Sequence, residues 1–169
     1  FQEKIAEINA IPQLMDKQRL TLTLVDKILT TYGPDAGYHL PLNNPIVIAS
    51  NDIVSHDQVA LLTLLWARQK TPQSALQDDP YPDQTNGLNA WFVHVYWGET
   101  YYQHYQDLPT FSDLAAPNNP THINYAYDIL RGGRPDAIEV ISGDYPLDNA
   151  LQMMLTLNPD LRIALQDAM

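Results

Sequence analysis

The stretch of residues 44–69 constrains the fold most, because a short polar loop joins two strongly apolar segments there. Residues 46–49 form an uninterrupted apolar run that is mostly β-branched. Such a run is typical of a strand covered on both faces, as in a parallel sheet. Residues 59–66 are apolar on nearly every side, which predicts a central, buried helix. A strand followed closely by such a helix indicates an α/β fold.

The polar loop between these segments carries the signals for the end of the strand and the start of the helix. Asn51 and Asp52 end the strand, because their side chains compete for local backbone hydrogen bonds. Ser55 with Gln58 three positions later matches a capping box, which predicts that Ser55 is the N-cap. Asp57 then falls in the first helical turn, where the helix dipole favours a carboxylate.

Two more strands are predicted elsewhere in the chain. Residues 20–25 alternate between apolar and polar side chains, and residues 137–141 form an apolar run around one glutamate. Together with residues 46–49, they predict a small, mostly parallel sheet covered by helices in a single compact domain. We expect this α/β domain to span residues 1–169. Helices are predicted over residues 2–15 with a break at Pro12, and over 27–32, 122–130, 145–157 and 161–168.

Residues 71–120 interrupt this pattern with proline-bearing polar loops around an aromatic segment at residues 88–105. No second segment of core size follows, so we interpret residues 71–120 as a helical and loop excursion from the one domain. Filling the core is the simplest use of the large aromatic rings. Stacking on a flat ligand and contact within a homo-oligomer are the alternatives.

Composition narrows the function classes. A net charge of −11 argues against a nucleic-acid partner and against binding to an anionic lipid surface. No apolar run reaches the roughly 18 residues of a spanning helix, so we expect no membrane insertion. The chain has no cysteine, which excludes a cysteine-ligated iron–sulfur cluster within these residues. We expect a soluble protein, with the cytoplasm favoured over secretion, and a start at Phe1 that reflects a piece of a longer chain.

Three motifs follow one another in a recognisable order. They are LTLTLVDKILTTYGPDAG at residues 20–37, IVIASNDIVSHDQVA at 46–60 and GGRPDAIEVISG at 132–143. Together they resemble an uncharacterised prokaryotic family called domain of unknown function 362. The chain departs from the family at Ile53, where proline is usual, and at His56, where small or apolar residues are common. On this resemblance, the motif positions are Asp26, Ser50, Asp52, Asp57, Gly133, Glu139 and Gly143.

The resemblance implies an association with redox proteins. Members of the family often join this domain to a ferredoxin-like, cysteine-rich segment, which is not found in the present sequence. An iron–sulfur partner segment or partner protein is therefore expected. The family has no assigned reaction, so the resemblance does not decide whether the protein is an enzyme.

Three aspartates suggest a centre of chemistry. If residues 20–25 and 46–49 are parallel neighbours, Asp26 and Asp52 lie at the same edge of the sheet, where α/β folds bind ligands. Asp57 could point into the same crevice, and three such carboxylates would repel one another without a cation. Their oxygen atoms suit Mg²⁺, Mn²⁺ or Ca²⁺. The simpler interpretation makes all three residues strand-end and helix-cap groups.

The candidate ligand site also includes Ser50, His56 and Glu139. His56 is a candidate ligand or general base, and the alternative is an exposed histidine at the start of the helix with no role. Two functions therefore stay open. One is a binding or scaffold domain of a redox-associated protein. The other is a divalent-cation-dependent enzyme with an aspartate-rich crevice.

Overall fold

The computed structural model describes residues 2–31, 37–77, 95, 122–143, 145–157 and 161–167 of the 169-residue chain. Helices and strands alternate irregularly along these residues. In chain order the elements are α1 (Gln2–Asn9), α2 (Pro12–Met15), β1 (Thr21–Leu29), β2 (His39–Ser50), α3 (Ile53–Gln69), α4 (Gln73–Gln77), α5 (His122–Arg131), β3 (Ile138–Ser142), α6 (Tyr145–Leu157) and β4 (Ile163–Asp167).

The four strands form two separate pairs. β1 and β2 are antiparallel, with Thr21 opposite Ser50. β3 and β4 are parallel, with Ile138 opposite Ile163. The prediction of a single small, mostly parallel sheet is therefore wrong, because the described strands form two two-stranded sheets, one antiparallel and one parallel.

The antiparallel pairing of β1 and β2 follows from their short connection. Residues 30–38 join the two strands, whereas parallel neighbours need a crossover of about a dozen or more residues. The predicted helix over residues 27–32 is also wrong, because β1 continues to Leu29 with Ile28 buried. The register shifts between Val25 and Lys27, as at a β-bulge.

α3 is the central helix of the fold, as predicted. It contacts both strands of the first pair as well as α5 and α6. Each large apolar side chain buried here contributes about 1.5–3 kcal/mol before conformational entropy is included. The buried cluster around α3 comprises Val54, Leu61, Leu62, Leu65, Ile123, Tyr127, Leu151, Met154, Leu155 and Leu161.

The predicted helices over residues 122–130 and 145–157 are confirmed as α5 and α6, and Pro12 separates α1 from α2 as expected. α5 ends at two glycines with positive φ, 72° at Gly132 and 141° at Gly133. The Gly133 N–H donates to the Tyr127 carbonyl at 3.1 Å, which satisfies one of the last carbonyls of the helix.

The predicted helix over residues 161–168 is wrong, because Ile163–Asp167 form strand β4. So short a segment gains little from helix formation alone, since nucleation fixes several residues for one hydrogen bond. Pairing with β3 satisfies the backbone instead, and Arg162, with a φ of 54°, turns the chain into the strand.

The excursion over residues 71–120 is described only at its start, apart from Val95. Thr71 is buried there, and its hydroxyl donates to Thr30 Oγ1 at 2.6 Å. The aromatic segment at residues 88–105, apart from Val95, and most of the predicted glycine turn at 33–37 lie outside the described residues.

Among the described helices, none has the length and apolar character needed to cross a membrane.

Candidate functional site

A cleft of about 560 Å³ lies between β2 and β3. Its volume falls within the range of roughly 300–1,000 Å³ that is usual for ligand sites. Consecutive residues of a strand point to opposite faces, so a cleft lined by unbroken runs lies along strand edges. The lining comprises residues 45–51 and 138–143, with Ser55, His56 and Val59 of α3 and Leu147 and Leu151 of α6.

The two strands that border the cleft each have one hydrogen-bonded neighbour among the described strands. β2 pairs with β1 and β3 with β4, and the two pairs are not bonded to each other. Almost all Cα atoms of β2 lie more than 8 Å from those of β3, whereas neighbouring strands in a sheet lie about 4.8 Å apart. The cleft is therefore a gap between two strand edges.

His56 lines this cleft from the first turn of α3. It is only 4% exposed, and neither ring nitrogen has a hydrogen-bond partner among the described residues. Asp57 Oδ1 lies 3.6 Å from His56 Nδ1, which is too long for a hydrogen bond. A buried polar group without a partner costs roughly 1–3 kcal/mol, so a hydrogen-bonding group that reached the buried ring nitrogens would stabilise the protein. The alternative of an exposed histidine is wrong.

Asp52 is the N-cap of α3, in place of the predicted Ser55. Its Oδ1 accepts the Ser55 N–H at 2.7 Å, and its own N–H donates to Ser50 Oγ at 3.0 Å. Its Oδ2 accepts from the guanidinium of Arg131 at the end of α5. Partial burial acts to raise the pKa of the Asp52 carboxyl, but the Ser55 backbone and the Arg131 charge outweigh it and hold the pKa below its ordinary value.

The three predicted metal ligands are not brought together. Asp26 is exposed at the bulge of β1, five residues beyond Thr21, and the antiparallel register places Thr21 opposite the end of β2 that precedes Asp52. Asp26 thus lies about 17 Å along the strand from that end. Asp57 is exposed on α3, and the described residues contain no group of three His, Asp or Glu side chains that could hold a metal ion. The common edge expected from parallel strands is absent, because β1 and β2 run in opposite directions.

The other predicted site residues meet at the cleft. Ser50 and His56 line it near the carboxyl end of β2, and Glu139 lines it from β3. Glu139 is exposed and belongs to the strand face that points away from the helices. Half of the candidate ligand set is therefore gathered here, around a strand edge rather than a carboxylate cluster.

Sequence reasoning missed two features of the site. Arg131, the partner of Asp52, lies 79 residues away along the chain, so no local pattern connects the two side chains. The cleft-facing edge of β3 was also missed, although an outward apolar residue gave a signal. Ile141 is 73% exposed on that strand, and its apolar side chain in the predicted strand at residues 137–141 is the only hint in the sequence.

The chain was compared with models of known protein families, with curated proteins and with solved structures, and none of them matches. The resemblance to domain of unknown function 362 is therefore still a prediction from the three motifs.

Proposed function

We propose that this protein is a binding domain and that the cleft between β2 and β3 is its ligand site. The observation that carries this proposal is His56, a buried residue that lines the cleft and whose ring nitrogens have no partner in the described part of the chain. Folding around an unsatisfied polar group is unfavourable, and a ligand that hydrogen-bonds to the ring removes that penalty.

The rest of the lining indicates the chemistry of the ligand. Polar groups gather where β2 ends and α3 begins, with the hydroxyls of Ser50 and Ser55, the Asn51 amide and the His56 ring. Apolar side chains from the helices line other parts of the cleft, among them Val59, Leu147 and Leu151. A ligand with hydrogen-bonding groups and apolar surface fits this lining better than a metal ion or a purely polar anion.

A role beside redox proteins is supported only by the resemblance of the three motifs. The net charge of −11 favours a protein or small-molecule ligand over a nucleic acid. No observation favours the divalent-cation-dependent enzyme, since Asp26 lies far along β1 from Asp52 and the described residues contain no group of three potential metal ligands.

The His56 ring provides the test. N-methylacetamide, acetate and inorganic phosphate serve as separate small probes, and the ring resonances of ¹⁵N-histidine-labelled protein are followed by NMR. We expect at least one probe to shift the His56 nitrogens while leaving those of His39, which does not line the cleft, unchanged. In the Val59→Trp variant, where the indole occupies the part of the cleft next to His56, the same probe should cause a smaller shift or none.

Two outcomes contradict the proposal. One is that none of the three probes moves the His56 resonances. The other is that the shift persists in Val59→Trp at full size while the variant keeps a cooperative melting transition.

A further inference from the structure

We infer that the ligand of this cleft is an extended segment of a partner protein, which inserts between β2 and β3 as a strand and joins the two pairs into one five-stranded sheet. This inference rests on the proposed function and names the class of ligand. It is carried by the separation of the two strand edges, the direction of the β3 backbone groups, and the side chains on either side of the gap.

The separation of β2 and β3 is compatible with one strand between them. Strands in a sheet lie about 4.8 Å apart, so two strands that flank a third are separated by about 9.6 Å. Almost all Cα pairs between β2 and β3 exceed 8 Å, which excludes direct pairing and is consistent with a missing neighbour. Residues 45–51 and 138–143 border the gap, so about six residues of an extended segment would be covered.

The backbone of β3 presents hydrogen-bonding groups to the gap. The Ile138 N–H donates to the Arg162 carbonyl at 2.8 Å, so Ile138 points its amide toward β4. Backbone groups of successive strand residues point to opposite edges, and therefore Glu139 and Ile141 direct their N–H and C=O groups into the cleft. These are the groups that an added strand uses in β-augmentation.

Completing the sheet also relieves an unfavourable feature of the fold. Two-stranded sheets are marginal by themselves, whereas sheets of about five strands are common. With respect to the described strands, each of the two pairs has an unpaired edge at the cleft, and such edges favour pairing with another chain. A strand in the gap would satisfy both edges at once.

The side chains around the gap specify the partner segment. On the helix side, the segment meets Val59 and Leu151. On the outer face it meets Val47, which is 60% exposed, and Ile141, which is 73% exposed. We therefore expect the inserted segment to have apolar or hydroxyl-bearing side chains on both faces. The Glu139 carboxylate favours a lysine or arginine next to it over an acidic residue.

A synthetic octapeptide tests the inference on the full chain. Valine and threonine alternate between its two terminal lysines, and both ends are blocked. Isothermal titration calorimetry measures its affinity, and two further peptides carry N-methyl groups on one or the other alternate set of amides. An inserted strand bonds to both neighbours, so each methylated peptide should bind about fivefold more weakly for every hydrogen bond removed.

Variants of Ile141 provide a matched pair on the protein side. Ile141→Pro removes an N–H that faces the cleft but none that bonds to β4, and proline is tolerated at such positions. Ile141→Thr also removes the exposed apolar side chain but keeps the N–H. We expect affinity for the octapeptide to fall about fivefold in Ile141→Pro relative to Ile141→Thr. Melting temperatures establish that both variants fold, and the methylated peptides test wild type independently.

The remaining outcomes separate the two proposals. If only one methylated peptide binds weakly, the segment adds to a single edge and the insertion is wrong. A stable dimer without peptide, which the peptide does not dissociate, would assign the gap to a second copy and overturn the inference. If the octapeptide does not bind while N-methylacetamide still shifts the His56 resonances, the insertion of a strand is wrong. The proposal that the cleft binds a ligand is then unaffected. If the octapeptide does not bind and no small probe shifts the His56 resonances, both proposals fail.

Discussion

At the scale of single residues, Asp52 links two helices through one carboxylate. It caps the first turn of α3 through Ser55 and accepts from Arg131 at the last turn of α5. The sequence favoured Ser55 as the cap because of the glutamine three residues later. Asp52 is the N-cap instead of Ser55 because its carboxylate also pairs with the Arg131 guanidinium. No local sequence pattern predicts the position of Arg131.

Replacing Asp52 should separate its cap from its charge. Asparagine caps helices about as well as aspartate, so Asp52→Asn loses mainly the pairing with Arg131, which is worth about 0.5 kcal/mol because both side chains are partly exposed. Asp52→Ala loses the cap as well, so we expect it to lower the free energy of unfolding by about 1–2 kcal/mol. Urea denaturation of the two variants checks this difference. Equal losses in both would show that Asp52 does not act as a cap.

The same variants should differ from wild type in their response to acid. The pKa of Asp52 is lowered in the folded protein, so its charge stabilises the fold above the unfolded pKa of about 3.9 and this contribution disappears as pH falls through the folded value. The stability gap between wild type and Asp52→Asn should therefore be constant near neutral pH and narrow below about pH 4. If the difference in stability does not narrow in acid, the charge of Asp52 does not stabilise the fold.

A second residue-scale prediction concerns the buried pair of Tyr127 and Gln58, each 1% exposed. The Tyr127 hydroxyl donates to Gln58 Oε1 at 2.5 Å, and burial raises the pKa of the phenol. Tyr127→Phe leaves a buried acceptor without its donor and should cost about 1–3 kcal/mol. In the background of Gln58→Leu, the same change should cost clearly less. Chemical denaturation of the double-mutant cycle measures the coupling, and strictly additive losses would contradict it.

At the scale of elements, the sequence predicted where strands and central helices lie better than how the strands pair. α3, α5 and α6 follow from apolar periodicity and local stop signals, which are all contained within the helix itself. The direction of β1 against β2 and the identity of β4 depend on partners elsewhere in the chain. Residues 163–165 are compatible with a helix or a strand, and they form a strand because they pair with the edge of β3.

The end of α5 provides a prediction for one element. Gly132 has a φ of 72°, a conformation that an alanine adopts only with strain, so Gly132→Ala should lower the free energy of unfolding by about 1 kcal/mol. Gly143 is the matched control, because it has no positive φ and no atom lies within 4 Å of an added Cβ. Thermal melts compare the two, and equal effects would contradict the assignment of Gly132 as the helix terminator.

At the scale of the whole molecule, a layer of helices supports two strand pairs that do not meet. α3 contacts β1 and β2, α6 contacts β4, and the two helices contact each other. The prediction of one continuous sheet followed from apolar runs that could each belong to it. It failed because the sequence of a strand does not specify its neighbour. The gap between the pairs, which the sequence did not predict, is the binding site that we propose, and His56 lines it.

Amide hydrogen exchange of β3, resolved residue by residue, measures whether its edge at the cleft is unpaired. In the free protein, we expect slow exchange for Ile138, Val140 and Ser142, whose amides point toward β4, and fast exchange for Glu139 and Ile141, whose amides face the cleft. Addition of the octapeptide should slow the second set without changing the first. Slow exchange of Glu139 and Ile141 before any addition would show that this edge of β3 is already paired, and a strand could not insert between β2 and β3.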